Sequence, residues 1–199
     1  MTTIKKITLE VPDTTAARTF YEAAFGLGSE LDVRAPSDES GDGFRGYTLS
    51  LVVSQPSTVD NLFASALEAG ASAIKPVSKS FWGYGGSLRA PDGAIWKIAS
   101  SSKKESGPAT REIDDIVLLL GVEDVKATKQ FYVDQGLSVA KSFGSKYVEF
   151  ETAPVKLALY GRKALAHDAG VDVDGSGSHR IAITSDAGTF TDPDGFSWE

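Results

Sequence analysis

The sequence contains no cysteine, which excludes disulfides, thiolate zinc sites and a cysteine nucleophile. It has two histidines, His167 and His179, so any imidazole-rich metal centre would need carboxylates to complete it. No run approaches the ~18 apolar residues of a spanning helix. The start, MTTIKKITLEVPD, lacks the apolar core of a signal peptide. These absences, with that of cysteine, give the expectation of a cytoplasmic protein with no membrane partner. Net positive charge is also missing. The formal charge is −7 and the pI about 4.9. An acidic chain is repelled by phosphates, so no nucleic-acid partner is expected.

What is present suffices for a core. The 199 residues are 41% hydrophobic and 24% charged, ordinary globular usage. Length allows one domain or two small ones. The most informative feature is an internal repeat. ITLEVPDTTAARTFYEAAFGL opens the chain, and IVLLLGVEDVKATKQFYVDQGL follows later. Asp13 matches Asp124, Phe20-Tyr21 match Phe131-Tyr132, and Gly26-Leu27 match Gly136-Leu137 after a one-residue gap. The closing segments correspond too: Pro91-Asp92-Gly93 with Trp96, and Pro193-Asp194-Gly195 with Trp198. The polar stretch SSSKKESGPATRE has linker composition. The chain therefore divides into lobes at 1–100 and 113–199, joined by 101–112.

Each repeat opens with an apolar strand, Ile4, Ile7, Leu9 and Val11 in the first. Asp13 is placed to cap the following helix by accepting a free amide. Ala17, Phe20, Tyr21, Ala24 and Phe25 share one helical face, and Gly26 supplies a left-handed stop. STVDNLFASALEAGA predicts a second helix with a Ser57/Asp60 capping pattern, ended by Gly70. Three short strands follow in the second half (SVAKSF, KYVEFET, VKLALYG), then a short helix near Arg162–Ala169 stopped by Gly170. Strand–helix–strands, repeated, is α+β and mainly antiparallel.

Strand, Asp-capped helix with Phe-Tyr near its middle, Gly-Leu and a terminal PDGxxW hairpin together resemble the vicinal-oxygen-chelate superfamily, which includes glyoxalase, bleomycin-resistance and dioxygenase proteins. The resemblance implies two glyoxalase-like lobes built from βαβββ-type modules, with curved sheets whose concave face holds a ligand. Two departures are visible. The first half is short of strands between Arg34 and Gly46. HRIAITSDAGTFTDPDG leaves no room for a helix after its strand. Two abbreviated lobes that complete one another are expected, with the pairing of modules left open.

The same resemblance locates the positions of a divalent metal. In the first half they fall on Lys6 and Lys97, and a cationic lysine is a poor ligand. In the second they fall near Asp115 or Val117, on Arg180 beside His179, and on Glu199. The expectation is no cofactor and no metal ligand, the residual set being His179 and Glu199, with Asp115 the candidate third member. His167 reads as capping the end of its short helix. GSGSH and GYGG lack P-loop context, and Asp172-x-Asp174-Gly175 lacks the closing glutamate of a calcium loop.

The aromatic stretch Phe81-Trp82-Gly83-Tyr84 suits a flat ligand equally well as a core. Arg45 and Tyr47 could reach the same concavity, and Arg89 could pair with an anionic group. Candidate ligand-binding residues are therefore Trp82, Tyr84, Arg45, Tyr47 and Arg89, and no catalytic residue is assigned. The leading reading is a metal-free protein binding a small aromatic or heterocyclic molecule. The alternatives are a metal-dependent lyase, isomerase or dioxygenase, and a non-catalytic interaction module. A homodimer is the expected assembly.

Overall fold

A computed structural model describes residues 1–37 and 41–199. Strand β1 (Thr2–Glu10) leads into helix α1 (Thr14–Phe25). As the sequence predicts, the Asp13 carboxylate accepts the Ala16 amide at 2.9 Å. Gly26 closes the helix at φ 64°, where a side chain would be strained. The five expected apolar residues of α1 are all buried. The short strand β2 (Leu31–Arg34) then runs parallel to β1. The stretch to Gly46 includes residues 38–40, outside the described set. Among its described residues there is only an isolated bridge between Gly43 and Gly175.

β3 (Tyr47–Val52), α2 (Pro56–Glu68), β4 (Ser72–Ser80), β5 (Gly83–Arg89) and β6 (Ile95–Ser100) form a complete strand–helix–three-strand unit. The predicted capping pair of α2 is not made. Gln55 stands at the cap with its side chain bonded to Ser106, Gly107 and Pro108 instead of to the helix, and proline occupies the first turn. Ser57 turns outward to Glu105, and Asp60 accepts from the Tyr84 hydroxyl. Proline at this position removes an amide that would otherwise need capping, so the helix starts without one.

β7 (Asp115–Val122), α3 (Val125–Asp134), β8 (Val139–Phe143), β9 (Tyr147–Phe150) and β10 (Thr152–Gly161) form a second complete unit. Asp124 caps α3 just as Asp13 caps α1, accepting the Lys126 and Ala127 amides. Helix α4 follows at once and, as read from the sequence, spans Arg162–Ala169 and ends at Gly170. β11 (Ile181–Ser185), β12 (Phe190–Thr191) and β13 (Ser197–Trp198) complete the chain, with no helix between them. The fold is mixed α+β.

Each opening strand lies parallel to the last strand of its own unit: β3 to β6, β7 to β10, β11 to β13. The antiparallel joins cross between the halves, β3 to β7 and β1 to β11. One arm of the sheet therefore reads β8-β9-β10-β7-β3-β6-β5-β4, and the other contains β1, β2, β11, β12 and β13. Each half contributes strands to both arms.

The main core lies between the arms and under the helices. Trp96 packs at ring-centroid distances of 5.5 Å from Tyr21 and 5.0 Å from Phe25. Trp198 sits 5.3 Å from Tyr132. Both tryptophans are essentially buried, the structural role their recurrence suggests. Each is tied into a three-membered chain. Trp96 Nε1 donates to the Tyr21 hydroxyl at 3.4 Å, which donates to Asp92 at 2.6 Å. Trp198 Nε1 donates to the Tyr132 hydroxyl at 3.3 Å, which donates to Asp192. The acceptors are not equivalent in sequence. Asp92 lies inside the first PDG turn, whereas Asp192 precedes the second, and Asp194 instead accepts from Thr128 and the Glu123 amide. Burial first, and then the neighbouring carboxylate, push both phenols well above the usual tyrosine range.

Candidate functional site

Alternation along the eight-stranded arm decides which residues face its outer core and which its concave side. Tyr47, Leu49, Trp96, Ile98, Leu118 and Leu120 belong to the main core. Their neighbours point the other way. Cross-strand register then aligns a polar row on the concave side, Lys75–Ser87–Lys97–Ser50–Val117–Lys156, across six strands.

Half of this concave side is filled by the chain itself. Helix α4 packs Leu165, Ala166 and Ala169 against Phe44 and Ile95 in a second small core, with Leu119 and Tyr160 at its edge. Its C-terminal end is fixed by the polar row. Lys75 donates to the carbonyls of His167 and Asp168 at 2.9 and 2.8 Å. Ser87 donates to the Ala169 carbonyl at 2.8 Å, and Lys97 pairs with the Asp168 carboxylate. Cations at a helix C-terminus complement its dipole. At the other end, the Arg162 guanidinium donates to the Phe44 carbonyl at 3.0 Å. Gly46 is required there: at φ 83°, a Cβ would stand 2.4 Å from Arg162 Nη1.

Beyond α4, which also packs on β7 and on Tyr160 at the end of β10, the concave side continues over β8–β10. Phe143, Tyr147 and Tyr160 lie opposite one another on three neighbouring strands. Their rings form a ladder, 6.1 Å between Phe143 and Tyr147 and 6.2 Å between Tyr147 and Tyr160. Tyr147 and Tyr160 are half-buried and Phe143 is exposed. Next to the ladder stand Glu149 and, beyond it, Lys156, which donates to Asp115 at 2.7 Å. Burial, then Glu149, raise the Tyr147 phenol to about 12. This ladder was not picked out in the sequence, although Tyr147 and Glu149 alternate in KYVEF as residues of one strand face do.

The five sequence candidates are dispersed. Tyr47 is buried in the main core, its phenol raised to about 12 by burial, and its hydroxyl has no partner among the described residues. Arg45 donates to the Asp92 carbonyl at 2.6 Å on that same side. Tyr84 faces α2 through its bond to Asp60, which raises its phenol to about 12. Trp82 stands 84% exposed at the β4–β5 turn. Arg89 shares the concave side by its register with Ile95. The five do not line a single concavity.

The metal positions implied by the resemblance are held by the protein's own cations and carbonyls. Glu199 is 2.6 Å from Arg34, which also binds Glu10 at 3.0 Å. Lys6 pairs with Asp32 at 3.2 Å, and Asp115 with Lys156. His179 stacks on Phe196 at 3.8 Å. Its Nδ1 lies 2.6 Å from the Arg45 carbonyl and its Nε2 2.8 Å from the Asp194 carbonyl. Both ring nitrogens are directed at backbone carbonyl oxygens, which occupy the approach an ion would need. Among the described residues no group of three histidines or carboxylates is placed to hold a metal. These residues do not fit the divalent centre.

Two clefts lie outside the sheet, where the helices α1 and α3 start against the PDG turns. The one at α3 encloses about 370 Å³ among Glu123, Asp124, Thr128, Arg162 and Asp194. Its counterpart at α1 encloses about 140 Å³ among Asp13, Phe20, Pro91 and Asp92. Their carboxylates are mostly committed to backbone amides, Asp13 and Asp124 as helix caps and Asp194 to Glu123. No helix among the described residues is long and apolar enough to cross a membrane.

No family model matches the chain, and no curated protein matches it significantly. Solved structures do. Glyoxalase I from Zea mays superposes over 100% of this chain and 91% of its own, with a TM-score of 0.67 at 13% identity. A putative dioxygenase from Bacillus subtilis matches 91% of this chain and 69% of its own, with a TM-score of 0.53 at 14% identity. The paired strand–helix–strand units, the PDGxxW turns and these superpositions together show that the chain has the vicinal-oxygen-chelate fold, the fold of glyoxalase I.

Proposed function

We propose that this protein binds a small flat aromatic or heterocyclic molecule without a metal, on the concave side of β8–β10. The observation that carries this reading is the Phe143–Tyr147–Tyr160 ladder, which starts at the edge of the α4 cluster and becomes more exposed toward Phe143. Partly exposed rings, inclined at 41° and 76° to one another, offer both faces and edges to a flat ligand. Lys156, paired with Asp115, gives a cation two rows along β10 from the ladder, within reach of an anionic substituent on an extended ligand. Of the sequence candidates, only Arg89 lies on the same side; Tyr47 and Arg45 lie on the main-core side, Tyr84 faces α2 and Trp82 stands at the β4–β5 turn. The expected partner is a small molecule rather than nucleic acid, and the setting expected from the sequence is cytoplasmic.

Calorimetric titration with indole- and naphthalene-carboxylates tests the proposal. Tyr147→Ala should weaken binding by about 3- to 10-fold, the worth of one aromatic contact, without lowering the melting temperature by more than a few degrees. Lys156→Met should weaken the carboxylates more than their uncharged parents. Absence of binding across the panel, or binding indifferent to Tyr147, would remove the support for this site.

A further inference from the structure

The turn between β4 and β5 carries the most exposed aromatic side chains in the structure. Phe81 is 85% and Trp82 84% exposed, and their rings meet edge-to-face at 5.0 Å. Neither ring contacts the core on either side of the sheet, so folding does not explain their presence. Their electrostatic setting is also unusual for an acidic protein. From Ser72 to Arg89 the sequence has no carboxylate, and it carries Lys75, Lys79 and Arg89. At the turn itself, Lys79 is exposed two residues before Phe81, and Lys103 donates to the Phe81 carbonyl at 3.2 Å. Lys104 follows, also exposed. Two acids, Asp60 and Glu105, bond the Tyr84 and Ser57 hydroxyls rather than these lysines, and the three lysines outnumber them.

The geometry points to a lipid-surface anchor: the Phe81–Trp82 turn enters the headgroup region of an anionic bilayer while Lys79, Lys103 and Lys104 remain at the charged surface. Aromatic wedges flanked by lysines are the side chains that this interface favours. A fluid surface needs no shaped groove to receive a two-residue tip. A second copy of the chain is a poorer occupant. A stable interface buries about 800 Å² per partner, whereas two aromatics supply about 300–500 Å². The strand leading to the tip also carries Pro76 and register shifts, which discourage pairing with another edge. The contact is peripheral, departs from the sequence expectation of no membrane partner, and is independent of the ladder on β8–β10.

Intrinsic fluorescence reads this contact directly. Of the three tryptophans, Trp96 and Trp198 are buried, so a change on lipid binding reports Trp82. Vesicles of phosphatidylcholine with about one quarter phosphatidylserine should shift the emission to shorter wavelength and sediment the protein. Pure phosphatidylcholine should do so much less, and raised salt should release the protein. Phe81→Ser with Trp82→Ser should weaken sedimentation at least about tenfold. Lys79→Glu with Lys103→Glu should do the same while leaving Trp82 in place, and far-ultraviolet circular dichroism should be unchanged in both variants. Three results would overturn the inference: no binding of the unaltered protein to anionic vesicles at low salt, binding that survives loss of both aromatics, or a soluble dimer that requires them.

Discussion

Replacing Tyr21 or Tyr132 by phenylalanine removes one oxygen from a buried chain and nothing else. In each case a phenol that donates to a carboxylate and accepts from a tryptophan is lost. A hydrogen bond to a charged acceptor contributes about 1.5–3 kcal/mol. The tryptophan contacts, at 3.4 and 3.3 Å, are long and add less. Asp92 keeps the Ala94 amide, and Asp192 keeps those of Asp194 and Phe196, so neither carboxylate is stranded. The expected loss is therefore about 2–3 kcal/mol per substitution. In a chain of this length that corresponds to a fall of about 4–12 °C in Tm. Urea and thermal unfolding of the single variants should agree within about 1 kcal/mol, because the two chains are built alike. The double variant should be near the sum, because they share no partner. A loss under about 0.5 kcal/mol in either single variant would refute the view that these chains anchor the helices to the closing strands.

Other expectations follow from the same contacts. Leu165→Ala should cost about 2–5 kcal/mol, since Leu165 is fully buried where α4 meets the sheet; denaturant unfolding measures it. At alkaline pH the signs are fixed by the raised phenols. Tyr47, Tyr84 and Tyr147 stay protonated in the folded state to about 12, while unfolded tyrosine ionises near 10. Stability should therefore fall as pH rises from about 10 to 12, with Tyr47 alone accounting for about 2–3 kcal/mol. Tyrosinate absorbance should rise together with loss of secondary structure. Asp32 behaves oppositely. The Val33 amide holds its carboxyl below the usual value, helped by Lys6 and Arg18. Its contribution is present above the unfolded pKa and lost as pH falls through the folded one, so Asp32→Asn should flatten the acid limb of the stability curve. The pair is half-exposed, so the effect should stay under about 1 kcal/mol.

Much of the scaffold was legible in the sequence. Asp13, Asp124, Gly26 and Gly170 act locally, through caps and stops whose partners lie within a turn, and those elements stand where the residues place them. The Ser57/Asp60 cap failed because the helix starts earlier, at Pro56, so that Ser57 falls inside the first turn and bonds Glu105 while Asp60 accepts from Tyr84. Strand pairing was not legible, because β3–β7 and β1–β11 join segments far apart in the chain. The candidate site was the least visible part. Which face Tyr47 or Tyr84 takes depends on the parity of a strand, and a shift of one residue reverses it. The filling of the concave side by α4 depends on Lys75, Ser87 and Lys97, three residues whose alignment exists only in the sheet. Arg34, which joins Glu10 to Glu199, is equally invisible without the fold.

The central claim is recognition without a metal, and elemental analysis tests it most directly. The protein should be purified from cells supplied with iron, nickel, manganese and zinc, dialysed, and measured at known concentration. Trace metal is the predicted result, because Glu199, His179 and Asp115 are engaged by Arg34, backbone carbonyls and Lys156. Near-stoichiometric metal that survives dialysis would contradict the account and favour the lyase, isomerase or dioxygenase reading.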